Sequence, residues 1–347
     1  MQDKKQWDVI VIGGGPAGMM AAGRAGERGR SVLLLEKNKV LGKKLLISGG
    51  GRCNLTNNKQ SIRTMALQYT GSDQFLMSPF SQFGVRETLD FFNSRGMKTN
   101  IEAEGRVFPE SNMSQSVLDV LVDYMNSGNV SIKKNTGVTE FSFDKKNKNF
   151  VIKTEDDKKL ITHSCILATG GTSHPETGST GDGFVWLERH GHTIVKNDFA
   201  LVPITIKNDW VKRLAGVTIS DVKLTVFQDG KRQDSKKGKL LFTHFGISGP
   251  TVLNMSRDIG ELLRYGKVTI VLDMFPALDH GMLKANIQSA LIKESNRKLK
   301  NTLSDFIPTA FVPIILGLTH IDGDTPNHSV RHEERIKLVA CVKEMVM

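Results

Sequence analysis

The first apolar run of the chain, residues 8–12 (DVIVI), stops at a glycine and is followed by a helix-like segment over residues 16–28. A second apolar run, SVLLLE at residues 31–36, comes next. Strand, turn, helix and strand in this order are typical of one βαβ unit of a parallel sheet. The same patterns predict further helices and strands at 85–93, 114–124, 150–154 and 161–168. The beginning of the chain therefore predicts an α/β domain.

The pattern changes after about residue 195 to short β-rich runs with a turn at Asp229-Gly230, which predicts a small antiparallel sheet or barrel. From residue 279 the apolar positions recur with helical spacing, and a last helix is predicted to start at Ser329 and to continue to the end. We therefore predict three parts: an α/β domain at 1–195, a β-barrel-like part at 196–278 and a helical part at 279–347.

The turn after the first strand carries the glycine fingerprint G-x-G-x-x-G at Gly13, Gly15 and Gly18. In this setting the first glycine allows the tight turn, the second lets the backbone approach a pyrophosphate, and the third lets helix and strand pack closely. Glu36 ends the second strand, where a carboxylate accepts hydrogen bonds from ribose and repels a 2′-phosphate. The pattern predicts a dinucleotide site for FAD or NAD rather than NADP.

Two further glycine-rich loops follow predicted strands, one at residues 42–57 and one at residues 168–184. The first contains the consecutive glycines Gly49, Gly50 and Gly51, whose backbone can come very close to a ligand. Ligands of open α/β sheets bind at the carboxyl ends of the strands. Two such loops at one edge favour a cofactor longer than a mononucleotide, and FAD fits that requirement. A mobile surface turn is the alternative explanation for the glycines.

Composition narrows the class of protein. The 347 residues are 39% hydrophobic, as in ordinary globular proteins, and have no apolar run long enough to span a bilayer. The N-terminus lacks a signal-peptide pattern, and the three cysteines are widely spaced, so we expect a cytoplasmic protein without disulfides, metal site or membrane contact. The net charge of +11 keeps RNA open as a partner, but the basic runs at 231–239 and 293–300 contain no interleaved aromatic residues. A solvated hairpin tip and a solvated helix face are the favoured explanations of these runs, and attraction of phosphate is the alternative.

Four segments carry a resemblance to a known family: VIGGGPAGMMAA, GKKLLISGGGRCNLTN, ATGGTSHPETGSTGDGF and LFTHFGISGPTVL. With these motifs the chain resembles bacterial NAD(FAD)-utilising dehydrogenase-like flavoproteins, which include aminoacetone-oxidase-like and 3-dehydro-bile-acid-reductase-like members. The resemblance implies an α/β fold, with an FAD-binding Rossmann-like three-layer domain that is interrupted by an insert. The insert, a small β-barrel plus a helical subdomain, would begin near Lys196.

The resemblance also implies which residues contact FAD. Gly13, Gly15, Ala17 and Gly18 would lie at the pyrophosphate, and Glu36 and Lys37 at the adenosine ribose. The remaining contacts implied along the flavin, at the adenine and at the closing segment are Lys44, Gly51, Arg52, Cys53, Asn54, Val138, Thr169, Gly170 and Asp182.

No catalytic residue stands out, because a flavin itself carries out the hydride chemistry. The candidates are Arg52 for stabilising a reduced flavin, Cys53 as a redox thiol, and His174 and His244 as proton donors. Each has a structural alternative: an anion clamp, a packed thiol, or a hydrogen-bonding histidine.

We expect a flavin-dependent oxidoreductase acting on a small molecule, by reducing an activated C=C bond or oxidising an amine or a carbonyl-adjacent carbon. NADH or NADPH would serve as transient electron donor. A flavoprotein that acts on or binds RNA and a non-catalytic flavin-binding protein are the alternatives.

One feature departs from the family pattern. Family members continue past the insert with a strand-rich return segment that carries a Gly-Asp pair and a Gly-Gly-Tyr-Asn stretch and closes over the flavin. Here no glycine follows Gly323, and the last residues are RHEERIKLVACVKEMVM. We therefore expect weakly retained flavin, a lowered melting temperature and association through an exposed sheet edge.

Overall fold

The structure, a computed structural model, describes residues 6–59, 61–69, 71–195 and 200–347. It separates into two units, Met1–Val195 and Lys196–Met347. The assignment of three parts with boundaries at 195 and 278 stays a prediction.

The first unit alternates strands and helices. In chain order it contains β1 (Trp7–Ile12), α1 (Pro16–Glu27), β2 (Val32–Leu35), α2 (Lys43–Ile47), β3 (Thr56–Asn57), α3 (Ile62–Ala66), α4 (Asp73–Gln82), α5 (Val85–Asn93), β4 (Thr99–Ile101), β5 (Arg106–Pro109), α6 (Ser114–Ser127), β6 (Ser131–Lys133), β7 (Val138–Asp144), β8 (Asn149–Thr154), β9 (Lys159–Leu167) and α7 (Asp182–Arg189).

The main sheet of this unit has the strand order β6-β2-β1-β9-β8-β7. β6, β2, β1 and β9 run parallel, whereas β8 and β7 continue as an antiparallel meander. The predicted βαβ unit is β1-α1-β2. The pairing of β9 with β8 stops at Thr162, so residues 164–167 pair only with β1 among the described strands.

Alternate residues of β1 and β2 are buried on opposite faces of the sheet. Val11 and Leu34 pack against helices α1 and α6, whereas Ile10 and Leu33 pack with Trp186 of α7 and with the meander. Both faces of a parallel sheet are normally covered, which explains the nearly continuous apolar runs in the sequence. The helices, the sheet and the elements on its other face give the expected three layers.

The second unit combines a sheet with helices. It contains β10 (Ile204–Thr205), α8 (Asp209–Lys212), β11 (Thr218–Gln228), β12 (Lys231–Phe242), β13 (Gly246–Ser248), α9 (Pro250–Leu262), β14 (Val268–Asp273), α10 (His280–Lys293), α11 (Leu299–Leu303), α12 (Val312–Thr319), α13 (His332–Lys343) and β15 (Met345–Val346). The strands form an antiparallel sheet of order β10-β13-β12-β11-β14-β15. One hydrophobic cluster joins the sheet and the helices.

The end of the chain differs from its helical prediction. α13 begins at His332 rather than at Ser329, and the chain returns as β15 after Lys343. Met345 pairs with Leu272 of β14, and the side chains of Met345 and Met347 are buried. Met345 and Met347 become buried when the end of the chain pairs with the sheet, and this burial favours a strand although the sequence pattern is helical. None of the helices in the described ranges combines the length and hydropathy that a bilayer crossing requires.

Candidate cofactor site

The carboxyl ends of β1, β2 and β9 meet at one edge of the main sheet, where a cleft of about 550 Å³ opens. This volume lies within the range typical of small-molecule sites. Ten of the residues predicted to contact FAD line this cleft: Gly13, Gly15, Ala17, Glu36, Lys37, Lys44, Val138, Thr169, Gly170 and Asp182. Their role as FAD contacts stays a prediction.

The three fingerprint glycines differ in what surrounds them. A Cβ on Gly13 would lie 2.4 Å from the Ala168 oxygen, and one on Gly18 would lie 1.9 Å from the Gly13 oxygen. Packing within the protein therefore requires glycine at both positions, and Gly18 does not belong to the described lining of the cleft. A Cβ on Gly15 would meet no described atom within 4 Å. Packing does not explain Gly15, but a ligand at the turn does.

The first turn of α1 fits an anionic group. Gly15 is the N-cap of the helix and has no side chain that could accept a hydrogen bond from the first helical amides. The first amide groups of a helix have no partner within the helix and carry its positive dipole end. Because the empty side of Gly15 faces the cleft, a pyrophosphate can approach these amides closely.

Glu36 is a buried carboxylate at the end of β2. Its Oε2 accepts a hydrogen bond from the Gly14 amide at 2.6 Å, and its Oε1 accepts two from Asn38, from the backbone and side-chain nitrogens, each at 2.7 Å. A carboxylate oxygen can accept two hydrogen bonds, so Oε2 keeps room for one more donor. A ribose hydroxyl meets that requirement.

Side chains of the loop after β2 hold the second glycine-rich segment against the cleft. Lys37 Nζ contacts Thr180 Oγ1 at 2.8 Å and Asp182 Oδ2 at 2.9 Å, and Asn38 Nδ2 donates to the Thr177 carbonyl at 3.1 Å. The other two contacts run from Lys43 and Lys44 to the carbonyls of Glu176 and Ser173. We call these four side chains and their partners in residues 173–182 the clasp.

The clasp also affects whether the cleft can accept a cofactor with a 2′-phosphate. The Thr180 hydroxyl and the Lys37 ammonium hold the pKa of Asp182 below its ordinary value. Because Lys37 is engaged with this carboxylate, it is not a free cation for a 2′-phosphate. This pairing, together with the Glu36 charge, favours an adenosine without that phosphate.

The triple-glycine loop has the backbone that its sequence predicts. Gly49, Gly50 and Gly51 have φ values of 57°, 67° and 85°, in the left-handed region that favours glycine. The described wall of the cleft includes Gly42, Lys43 and Lys44 of this loop but not Gly51, Arg52, Cys53 or Asn54. The structure therefore brings together the residues expected at adenosine and pyrophosphate, and it does not place these four residues with them.

Arg52 is held by other protein groups. Its Nη1 lies 2.7 Å from Glu102 Oε1 and 3.2 Å from Asn112 Oδ1, and the guanidinium lies 3.9 Å from the centre of the Phe108 ring. The bond from Arg52 also lowers the pKa of Glu102. These contacts favour a positioning role for Arg52 in the loop.

The remaining catalytic candidates lie in different surroundings. Cys53 packs in the hydrophobic cluster of the helix layer, and burial raises the pKa of its thiol, which fits a packed thiol. His174 is exposed, with Nδ1 2.8 Å from Glu176 Oε1 next to the clasp. His244 is an exposed residue of the second unit, outside the described wall of the cleft. Within the first unit, Arg52, Cys53 and His174 thus have separate surroundings.

Four residues that line the cleft were not predicted from the sequence: Asn38, Lys43, Thr136 and Trp186. Asn38 and Lys43 lie within seven residues of Glu36, so their position after the second strand was a usable signal. Thr136 and Trp186 carry no motif, and only the fold places them here.

Comparison with known proteins shows two family matches. A family model described as the HI0933-like protein Rossmann domain matches residues 7–268, and one described as the HI0933-like protein barrel and H2TH domain matches residues 199–347.

Similar curated proteins cover nearly the whole chain. A 3-dehydro-bile acid delta(4,6)-reductase of Clostridium scindens is 30% identical over 97% of this chain and 81% of its own length. A ribosomal RNA dihydrouridine synthase of Escherichia coli K12 is 31% identical over 94% of this chain and 76% of its own length. Among solved structures, a 3-ketosteroid-delta4-(5alpha)-dehydrogenase from Rhodococcus jostii RHA1 is 14% identical over 77% of this chain and 66% of that chain, with a TM-score of 0.46.

The family models and the sheet topology confirm the predicted fold class, an FAD-binding Rossmann-like domain with a small barrel and a helical part. The chain belongs to the HI0933-like protein family.

Proposed function

We propose that this chain is an FAD-dependent oxidoreductase that reduces an activated carbon–carbon double bond in a small organic substrate. The observation that carries the proposal is the open side of Gly15 beside the buried carboxylate of Glu36. These groups match the phosphate and ribose of one dinucleotide.

Different residues of the cleft would bind different parts of the cofactor. The α1 amides would hold the pyrophosphate, Glu36 would hold the adenosine ribose, and Val138 would cover the adenine. Lys44, Thr169, Gly170 and the clasp would direct the remainder of the cofactor along the cleft. FAD, when bound, supplies hydride transfer, and the protein supplies orientation and exclusion of water.

The names of the two curated relatives support this reaction class. A delta(4,6)-reductase and a dihydrouridine synthase are both named for saturating a double bond. In such a reaction a hydride, which bound FAD would supply, and a proton add across the bond. We propose NADH or NADPH as the donor that reduces the flavin again.

The test is anaerobic stopped-flow spectroscopy of the FAD-loaded protein. The flavin is first reduced with NADH, NADPH or light, and is then mixed with cyclohex-2-enone or a 3-oxo-4,6-diene steroid. We expect the absorbance of oxidised flavin to return with a rate that increases with the concentration of the enone. If no enone reoxidises the flavin but amines reduce it, the result would favour the oxidase alternative. Flavin that is not reduced by any donor would indicate a non-catalytic flavin-binding protein.

A second candidate function is reduction of a base in RNA. It is favoured by the relative of E. coli K12 and a second one of Haemophilus influenzae, both named ribosomal RNA dihydrouridine synthase. The same stopped-flow experiment separates the two candidates when a uridine-containing RNA replaces the enone. Reoxidation by RNA and not by enones would select this function.

A further inference from the structure

The two basic runs of the sequence have different surroundings in the second unit. In the run at 293–300, Lys298 Nζ and Lys300 Nζ each lie 2.8 Å from Asp324 Oδ1, and Arg297 contacts Glu294 and Asp305. This run is therefore largely neutralised by neighbouring carboxylates. In the other run, Lys236 Nζ lies 3.9 Å from Asp234 Oδ2, whereas the described part of the chain places no carboxylate within ion-pair distance of Lys231, Arg232, Lys237 or Lys239.

This second run lies on β12, which pairs with β11 in an antiparallel hairpin. Val222, Leu224 and Val226 of β11 are buried, so the residues between them point to the other face of the sheet. On that face Lys223 lies directly opposite Lys237. Like charges in this position destabilise a sheet, so folding alone does not account for the pair.

The carboxylate nearest in register does not relieve this repulsion. Asp273 of β14 pairs with Lys223 in the ladder, but its Oδ2 is bound by the buried ammonium of Lys343 at 2.7 Å. Lys343 also donates to the carbonyls of Phe275 and Leu278. Asp273 therefore pairs with Lys343. Lys237 Nζ donates to the Pro276 carbonyl at 3.4 Å, a neutral acceptor that leaves the positive charge uncompensated.

Folding of the hairpin also brings an aromatic residue next to the basic run, although the two are apart in the linear sequence. The turn at Asp229-Gly230 brings Phe227 directly opposite Arg232. The Phe227 side chain is partly exposed on the same face as Lys223. An aromatic ring beside basic side chains is the combination with which proteins bind single-stranded nucleic acid.

We propose that the basic hairpin face, formed by Lys223, Phe227, Arg232, Lys237 and Lys239, binds the backbone of single-stranded RNA, with Phe227 stacking on a base. The proposal deepens the second candidate function and rests on it. The lysines lie on two adjacent strands, about 5 Å apart in the ladder, and so form a dense group of positive charges that a phosphate backbone can neutralise. Val271 and the exposed Val346 adjoin this face in the ladder, and the lysines outnumber these apolar side chains among the described residues. This excess of positive charge favours a polyanion over a membrane surface.

The test measures anisotropy of a fluorescein-labelled single-stranded RNA oligonucleotide over a series of KCl concentrations. The variant is K237E/K239E, and the matched control is K293E/K337E, which makes the same charge change on exposed helical lysines of the same unit. Each lost phosphate contact reduces the slope of log affinity against log salt by about 0.7. For the hairpin variant we expect the slope of log affinity against log salt to become shallower by about 1.4 and the affinity at low salt to fall at least tenfold. For the control we expect the slope and the affinity of the wild type.

A second variant separates stacking from charge. Phe227→Leu keeps an apolar side chain in the sheet, and we expect it to weaken binding by about fivefold to a hundredfold with an unchanged salt slope. The proposal would be overturned if the hairpin variant bound RNA as tightly as the wild type, or if the control lost as much affinity as the hairpin variant. It would also be overturned if the wild type bound phosphatidylglycerol vesicles but not RNA. FAD titration of the same variants checks that they keep the cofactor site, because FAD affinity should not change. Stopped-flow reoxidation of the wild type by uridine-containing RNA tests the second candidate function separately, so the two failures are distinguishable.

Discussion

At the scale of single residues, Glu36 has the greatest influence on the proposed site. Three hydrogen bonds from Gly14 and Asn38 fix its carboxylate at the end of β2 and leave one acceptor position free. The turn after β1 and the loop after β2 are thereby joined through one side chain. A glutamine at this position has one oxygen, which can accept at most two of these hydrogen bonds, and its NH2 group then faces the remaining N–H donor. Loss of the charge should therefore weaken both the cofactor site and the joint between the two loops.

We predict that Glu36→Gln weakens FAD binding by about tenfold to 150-fold, which corresponds to the roughly 1.5–3 kcal/mol of a hydrogen bond to a charged group. Isothermal titration of the apoprotein measures the dissociation constant. Glu27→Gln, which changes an exposed carboxylate paired with Arg24, is the control. If both variants bind FAD like the wild type, Glu36 does not contact the cofactor.

The cysteines give a second prediction at this scale. Burial raises the pKa of Cys53, Cys165 and Cys341, that of Cys165 to about 12. Since only the thiolate reacts, we expect slow reaction of all three with Ellman's reagent at about pH 8 and fast reaction after unfolding in guanidinium chloride. A single thiol that reacts rapidly in the native protein, and maps to Cys53 by mass spectrometry, would restore the redox role considered for it.

At the scale of elements, the clasp connects the loop after β2 with the segment after β9. Its contacts are exposed or half-buried, so each is worth little alone. Together they hold two segments that both leave the carboxyl edge of the sheet. A cofactor in the cleft would have to pass between these segments, so the clasp should control the rate of its release.

We predict that the double variant K37M/K43M releases FAD several-fold faster than the wild type, with little change in melting temperature. Release is followed by the increase in flavin fluorescence after dilution. Lys39→Met, a nearby exposed lysine, is the control. Equal release rates in the clasp variant and the control would show that the clasp does not cover the cofactor.

The pH dependence of the clasp follows from Asp182. Its pKa is lowered in the folded protein, so the pair with Lys37 stabilises the fold above the ordinary value of 3.8 and is lost as the pH falls through the lowered value. We therefore expect constant FAD release rates between about pH 8 and about pH 5. A release rate that rises steeply within this range in the wild type, but not in Asp182→Asn, would contradict this assignment.

At the scale of the whole molecule, the sequence predicted what depends on local pattern. β1, α1 and β2 follow from apolar periodicity and three glycines, and the cleft follows from strand ends that a parallel sheet must bring together. The clasp was not predicted, because lysines 37 and 43 meet residues 176–182 only after the chain has added β6 to β9. The hairpin pair Lys223–Lys237 and the return of β15 likewise depend on register, which turn geometry and burial decide.

The placement of Arg52 and Cys53 shows a second limit. The motif correctly indicated a special backbone, since Cys53 and the three glycines before it have positive φ. It did not indicate that Glu102 and Phe108, fifty residues later, would hold the Arg52 side chain. The flavin contacts of this loop and weak flavin retention both stay predictions.

The central claim, that the cleft at the carboxyl edge of the main sheet binds FAD, is tested most directly by fluorescence titration of FAD into the wild type and Gly15→Ala. Gly15 has φ −78°, which alanine adopts without strain, and its Cβ would point into open space, so the variant should keep the melting temperature of the wild type. We predict saturable FAD binding by the wild type and at least tenfold weaker binding by the variant, because the added methyl group occupies the space of the pyrophosphate. No FAD binding by the wild type, or equal affinity in the two proteins, would contradict the account.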